Sequence, residues 1–263
     1  MEIEFKNVVN DHINNISFKV APNSITGIIG EENKSEITKI LTGINQINSG
    51  KILIGENCIT SDEYKADILF NIGALFDNIN LYKKHFTVKK QLLKGLSYYI
   101  KVDDEEEKMI DVLNQVGLNE FYLNRRMSTL SLTEKKKIYL ASILIFNPEV
   151  IILDNFELHF SYGDQLLLKN LLKTLKKEYN KTIIVISNNV SFISDFVDNL
   201  LVFHNEKIIE ENISILNSCK IEKYNIDLMP IINFCALIND EIHPFVYYNN
   251  INELIKAVYR DVE

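Results

Sequence analysis

The stretch GIIGEENKSEITKILTG, residues 27–43, decides how the rest of the chain is read. An apolar run ends at Gly30, then come Lys34 and Ser35. Apolar residues recur at helical spacing from about Lys34 to Leu41, and Gly43 closes the run. This is the outline of a strand, a phosphate-binding loop and a helix. A full loop of that kind reads G-x-x-x-x-G-K-[ST]. Here three residues separate Gly30 from Lys34, and Asn33 stands before the lysine. Such a loop holds phosphate through successive backbone N–H groups, and glycines let it curl at no steric cost. Two residues fewer means fewer donors and a tighter curve. Glu31 and Glu32 also bring carboxylates to the place a polyanion would occupy. At about 5 Å and an effective dielectric of about 20, each such pair of charges costs roughly 3 kcal/mol.

On the N-terminal side, short strand-like runs cover 3–9, 16–20 and 25–29, separated by Asn-rich turns. On the C-terminal side, strands are expected at 51–54 and 68–75. The text from about Phe86 to Leu130 is helical, with Leu92, Leu93, Leu96 and Tyr99 at one spacing and Met109, Ile110, Val112, Leu113 and Val116 at the next. Another helix is expected over 131–146. EVIILD, residues 149–154, is a continuous apolar run ending in an acid, the pattern of a strand buried on both faces of a parallel sheet. A helix over 166–179, a second buried strand over 182–187, a short helix and the hairpin LLVFHNEKIIEE (200–211) follow. Strands alternating with helices define an α/β fold with a mostly parallel core, N-terminal antiparallel strands and a helical insertion. The tail differs: a strand at 246–248 and an amphipathic helix over 250–260 suggest a packing or dimerisation extension without chemistry of its own.

The chain has 263 residues, 46% of them hydrophobic and 24% charged, which is the balance of a soluble globular protein with a sizeable core. A net charge of -8 argues against nucleic acid as the main partner. Cys58, Cys219 and Cys235 are widely spaced, which implies neither a zinc site nor a disulfide framework and fits a reducing compartment. The N-terminus lacks signal-peptide character, and the longest apolar stretch, 140–146, is far too short to span a bilayer. The expected location is therefore cytoplasmic, with any membrane role exercised through a partner. Histidines 85, 159 and 204 fall on turns and read as surface residues, and Lys135, Lys136 and Lys137 read as the wet face of a helix.

Five anchors occur in order: SITGIIG, ILTGINQINSGKILI, LFDNINLYKKHFTV, TLSLTEKKKIYLASILIFNPEVIILD and KTIIVISNN. Through them, residues 1–210 resemble the nucleotide-binding subunit of an ABC transporter. The resemblance implies a P-loop NTPase-like cassette with a helical subdomain at about 86–146, and a small extension over 211–263. In that family two subunits sandwich two ATP molecules, the Gly-rich loop of one and the LSGGQ signature of the other gripping the same phosphates. It implies phosphate contacts at Gly30, Asn33, Lys34, Ser35, Glu36 and Ser131, and magnesium at Ser35 and Asp154 if ATP binds. The catalytic glutamate position matches Asn155, the glutamine position Asp77 and the histidine position Asn188, and the signature reads LSLTE (130–134). Residues 7–12 offer no aromatic ring to stack on adenine. An amide cannot accept a proton as a carboxylate does, so catalytic residues are not expected.

Asn33 with Glu36, and Ser131 with Glu134, each fit a capping box. The expectation is that both helix N-termini, which would otherwise meet phosphate, are satisfied from within. The expected function is a pseudo-ATPase that docks a membrane permease or a second cassette subunit. A divergent but functional ATPase that binds ATP and powers transport, alone or in a heterodimer, and a soluble interaction module are the alternatives. Phe86, Tyr98, Phe121 and Tyr122 are the expected docking patch.

Overall fold

A computed structural model of the chain describes residues 1–59, 71–76, 85–96, 105–230, 232–233 and 256. The expected tail strand and most of the expected tail helix lie outside these residues, as do Asp77, Tyr98 and the first part of the strand expected at 68–75.

Two sheets form the body. The antiparallel one joins β1 (Ile3–Val9), β2 (Ile16–Val20), β4 (Ser49–Ile54) and β5 (Asn57–Ile59) in the order β2-β1-β4-β5. The larger one joins β3 (Ile25–Gly30), β6 (Ile72–Phe76), β7 (Val150–Asp154), β8 (Thr182–Ile186), β9 (Asn199–His204) and β10 (Lys207–Glu211) in the order β10-β9-β3-β8-β7-β6. All neighbours in it are parallel except β9 and β10, which form the expected hairpin. Every residue of β7 and β8 is buried, as the unbroken apolar runs predict for strands covered on both faces.

The period of two along these strands divides the core. Ile151, Leu153, Ile183, Val185, Leu200 and Val202 face a helical layer. That layer comprises α2 (Val88–Leu96), α3 (Glu105–Gln115), α4 (Leu132–Leu144), α5 (Tyr162–Tyr179) and the short α6 (Val190–Ile193). Val150, Ile152, Ile184, Ile186, Leu201 and Phe203 face the other way, onto β1, β2, β4 and α1 (Glu36–Leu41). Helix α1 is therefore held between the sheets by Ile37, Ile40 and Leu41, all fully buried. Gly43, at φ +71, closes it, and Ile44 N–H donates to Lys39 O at 2.9 Å.

Because β3, β7 and β8 are parallel, their C-terminal ends open on one edge of the sheet. Ligands of open α/β sheets bind beyond such ends, and this edge carries most of the residues that the motifs single out.

Candidate functional site

The loop after β3 is a tight 3₁₀ turn, Glu32–Ser35, that runs into α1. Its entry is fixed by β9. Gly30 has φ +118 and lies flat against the Phe203 carbonyl, to which Glu31 N–H donates at 3.0 Å. The Lys34 side chain, 2% exposed, folds back so that Nζ donates to the carbonyls of Gly30 (3.0 Å) and Glu31 (3.2 Å). Ser35 Oγ reaches across the sheet edge and donates to Asp154 Oδ1 at 2.9 Å. Asn155 Nδ2 donates to the same oxygen at 3.3 Å. Gly30, Lys34, Ser35, Asp154 and Asn155 are thus brought together. Asn188 lies exposed beyond the end of β8, and Ser131 sits apart at the N-terminus of α4.

The capping expectation for the first helix is not what the structure shows. Asn33 is exposed and makes no cap; Glu31 and then Ser35 occupy the cap positions without side-chain caps. Glu36 turns inward instead, 2% exposed, accepting from Asn10 Nδ2 (2.6 Å), Asn45 Nδ2 (2.5 Å) and Lys39 Nζ (3.3 Å). The reason is tertiary: a buried carboxylate needs several donors, and the loop after β1 and the turn after α1 both offer an amide. Glu31 is also displaced from its expected place. Its carboxylate lies beside His204, at 3.0 Å, and accepts from Asn205 N–H at 2.9 Å, so it faces the β9–β10 turn.

At α4 the capping box is complete. Ser131 Oγ accepts from Glu134 N–H (3.2 Å), and Glu134 accepts from Ser131 N–H (2.7 Å). Glu134 also accepts from Tyr122 OH at 2.6 Å and lies 3.3 Å from Arg125. The Tyr122 hydroxyl, with the Ser131 bonds and Arg125, holds Glu134 below the usual carboxylate range. Ser131→Ala is expected to cost about 1 kcal/mol, roughly 2–4 °C in Tm. A midpoint unchanged by thermal denaturation would show the cap to be idle.

Asp154 is 3% exposed, and burial raises it above the usual range. The Ser35 hydroxyl, the Thr38 hydroxyl and the Lys34 charge oppose that rise. Thr38 faces it outside hydrogen-bond geometry: Asp154 Oδ2 and Thr38 Oγ1 are both buried with no hydrogen-bond partner. A carboxylate oxygen left over beside a serine hydroxyl is the donor set that a hard divalent cation takes, so these residues fit magnesium.

Beneath this edge lies a second acidic residue that sequence reading missed. Glu157 is 2% exposed and accepts from Ser187 Oγ, which in turn accepts from Asn189 N–H at 2.9 Å. Burial raises Glu157, opposed by the Ser187 hydroxyl, then by its own backbone N–H, and only after these by the Lys136 charge. Lys136 is itself 1% exposed, and Nζ donates to the carbonyls of Phe156 (3.1 Å) and Leu158 (2.9 Å). The run Lys135–Lys137 is therefore not a wet face. Lys136 points inward to join α4 to the loop after β7, and half-buried Lys137 pairs with Asp164 at 2.6 Å. Nothing local marks Lys136, since the strand loop it serves is twenty residues away.

Among the four aromatics of the expected docking patch, Phe121 is 76% exposed, Tyr122 is half-buried under Glu134 and Arg125, and Phe86 lies in the core. Phe86 is withdrawn from the surface by that burial, with Lys90 of α2 4.8 Å over its ring, and Tyr98 lies outside the described residues. Among the described residues no cluster of metal-binding side chains occurs and no helix is long and apolar enough to cross a membrane.

The profile of the family described as ABC transporter matches residues 13–156, more than half of the chain. The energy-coupling factor transporter ATP-binding protein EcfA1 of Staphylococcus aureus (strain USA300) is 28% identical over 202 residues, covering 76% of this chain and 74% of its own length. Among solved structures, the dimeric bacterial ABC transporter cassette MJ0796 superposes with a TM-score of 0.71 at 20% identity, over 80% of this chain and 98% of its own. CbiO1 of Clostridium perfringens, part of the transporter complex cbiONQ, gives 0.70 at 19% identity over 91% and 95%. The two structures share the fold of this chain, and because the family profile spans more than half of it, Gly30, Lys34, Ser35 and Asp154 included, the chain belongs to the ABC transporter family.

Proposed function

We propose that this chain is a cassette subunit that has kept the fold and lost turnover, and that it serves as a docking partner for a membrane permease or a second cassette subunit. In this reading residues 1–210 form the cassette and 211–263 an extension. The observation that carries it is Asn155. It follows Asp154 at the end of β7 and spends its amide on the Asp154 carboxylate, and an amide accepts no proton from water. The next carboxylate along, Glu157, is turned into the protein and bound to Ser187. Glu31 and Glu36 are likewise engaged away from the loop. The complete capping box at Ser131 satisfies N–H groups that a signature helix would offer to phosphate.

A second reading, nucleotide binding without hydrolysis by this chain alone, is favoured by the partnerless Asp154 Oδ2 beside Ser35. Ser35 and Asp154 would hold the magnesium of Mg-ATP, which neutralises phosphate charge when bound. Lys34 would exchange the Gly30 and Glu31 carbonyls for phosphate oxygens.

Purified full-length chain with magnesium and ATP is expected to release phosphate at the background rate. Release that disappears in Lys34→Ala would sink the proposal. Asn155→Glu alone is expected to restore nothing, because the loop before Lys34 stays short. The same preparation titrated with Mg-ATP tests the second reading, in which binding outlives turnover.

A further inference from the structure

The hairpin β9–β10 and the segment after it make contacts that neither reading above uses. His204, at the end of β9, stands between the phosphate loop and the C-terminal segment. On one side its Nδ1 lies 3.0 Å from Glu31 Oε1, an ion-pair distance without hydrogen-bond alignment. Asn205 Nδ2 lies 2.9 Å from Nε2. An amide nitrogen only donates, so a neutral ring there carries its proton on Nδ1, the nitrogen that faces Glu31. The Asn205 N–H holds the other oxygen of Glu31 at 2.9 Å. On its other side His204 packs edge-on against Tyr224, with ring centroids 5.4 Å apart and planes at 71°. Tyr224 is 6% exposed and belongs to the 3₁₀ segment Cys219–Tyr224, which Ile221 anchors in the core. Its hydroxyl donates to Glu211, the last residue of β10. Lys223 pairs with Glu211 at 2.8 Å and sits 4.5 Å above the Tyr224 ring.

We propose that His204 is a positioning residue for the phosphate loop, and that Tyr224 sets it, so that the C-terminal segment governs where the Glu31 carboxylate points. With His204 in place, Glu31 is drawn to the β9–β10 turn and its charge is kept off the loop's N–H groups. With His204 freed or removed, Glu31 swings back toward those groups and repels an incoming anion. Gly30 cannot absorb the change elsewhere, because its Cα is pressed on the Phe203 carbonyl one residue before His204. The proposal rests on the reading of residues 30–36 as an anion-binding loop.

The link is tested on the full-length chain by hydrogen–deuterium exchange of peptides covering residues 28–38. Tyr224→Ala and His204→Ala are each expected to raise exchange there about fivefold or more while β7 and β8 stay protected. Tyr224→Phe, which keeps the ring and loses the hydroxyl, is expected to behave as the parent chain. Unchanged exchange in His204→Ala overturns the proposal, and this variant decides the matter if Tyr224→Ala does not fold. Titration with magnesium pyrophosphate supplies the second arm. His204→Ala is expected to bind more weakly than the parent, and His204→Ala with Glu31→Gln to recover the parent's affinity. Equal weakness in the double variant overturns the role given to Glu31. No pyrophosphate binding by any variant, with the exchange effect present, supports the mechanical link and removes only the anion-binding reading beneath it.

Discussion

Gly30→Ala is expected to give a chain that either fails to accumulate in soluble form or melts at least about 10 °C below the parent. An added Cβ would stand 2.0 Å from the Phe203 carbonyl oxygen, 2.9 Å from its carbon and 3.0 Å from its nitrogen, and the residue sits at φ +118. These are backbone atoms of β9, which is hydrogen-bonded to β3 along its length. Relief would require two paired strands to separate, and a side chain at that φ is strained even in open space. Gly163 is the internal control. It lies in the first turn of α5, where an added Cβ meets only Ser161 Oγ at 3.9 Å. Gly163→Ala is expected to be neutral or to stabilise by roughly 0.5–1 kcal/mol. Thermal denaturation of both variants checks the contrast, and a parent-like midpoint for Gly30→Ala would mean that the loop does not lie against β9.

The second large effect is expected at Lys136. Lys136→Met removes the charge that opposes the burial of Glu157, together with two hydrogen bonds to the Phe156 and Leu158 carbonyls. Leaving those two carbonyls without their donor costs about 1–3 kcal/mol each. The pH dependence has a definite sign. Glu157 is held above its unfolded value by burial, so the folded state binds its proton more tightly than the unfolded chain does. Stability then falls as pH rises through the window between the unfolded value and the raised folded one. Without Lys136 the folded value climbs further and the window widens upward. The penalty of Lys136→Met is therefore expected to be greatest at neutral pH and to shrink as Glu157 is protonated on acidification. Glu157→Gln keeps a hydrogen-bond acceptor for Ser187 and should suppress much of the Lys136→Met defect. Midpoints measured across pH for the single and double variants test this, and strictly additive effects would show that the two residues act independently.

Much of the fold is legible in the sequence. β7 and β8 were visible as unbroken apolar runs because a strand covered on both faces has no reason to alternate. α1 and α4 were visible because their apolar residues recur at helical spacing. The capping box at Ser131 was legible because both of its bonds close within four residues. The same pattern at Asn33 misled, because Glu36 found stronger partners in Asn10 and Asn45, one of them 26 residues away. The lysine run at 135–137 misled in the same manner. A helix of that composition is equally consistent with a wet face, and only the carbonyls of the loop after β7 draw Lys136 inside.

The sequence by itself determined the fold class, the order of its elements, and the residue types at the end of each parallel strand, including the amide at Asn155. Those properties follow from local periodicity and spacing, which a linear string records. Only the tertiary structure decided where the acidic side chains point. Glu31 turns to His204, Glu36 to two asparagines and Glu157 to Ser187, whereas Asp154 meets Ser35 and keeps one oxygen without a partner. A carboxylate goes to whichever donors the folded chain brings within reach, and those donors come from distant segments, so its direction is settled only when the sheets close.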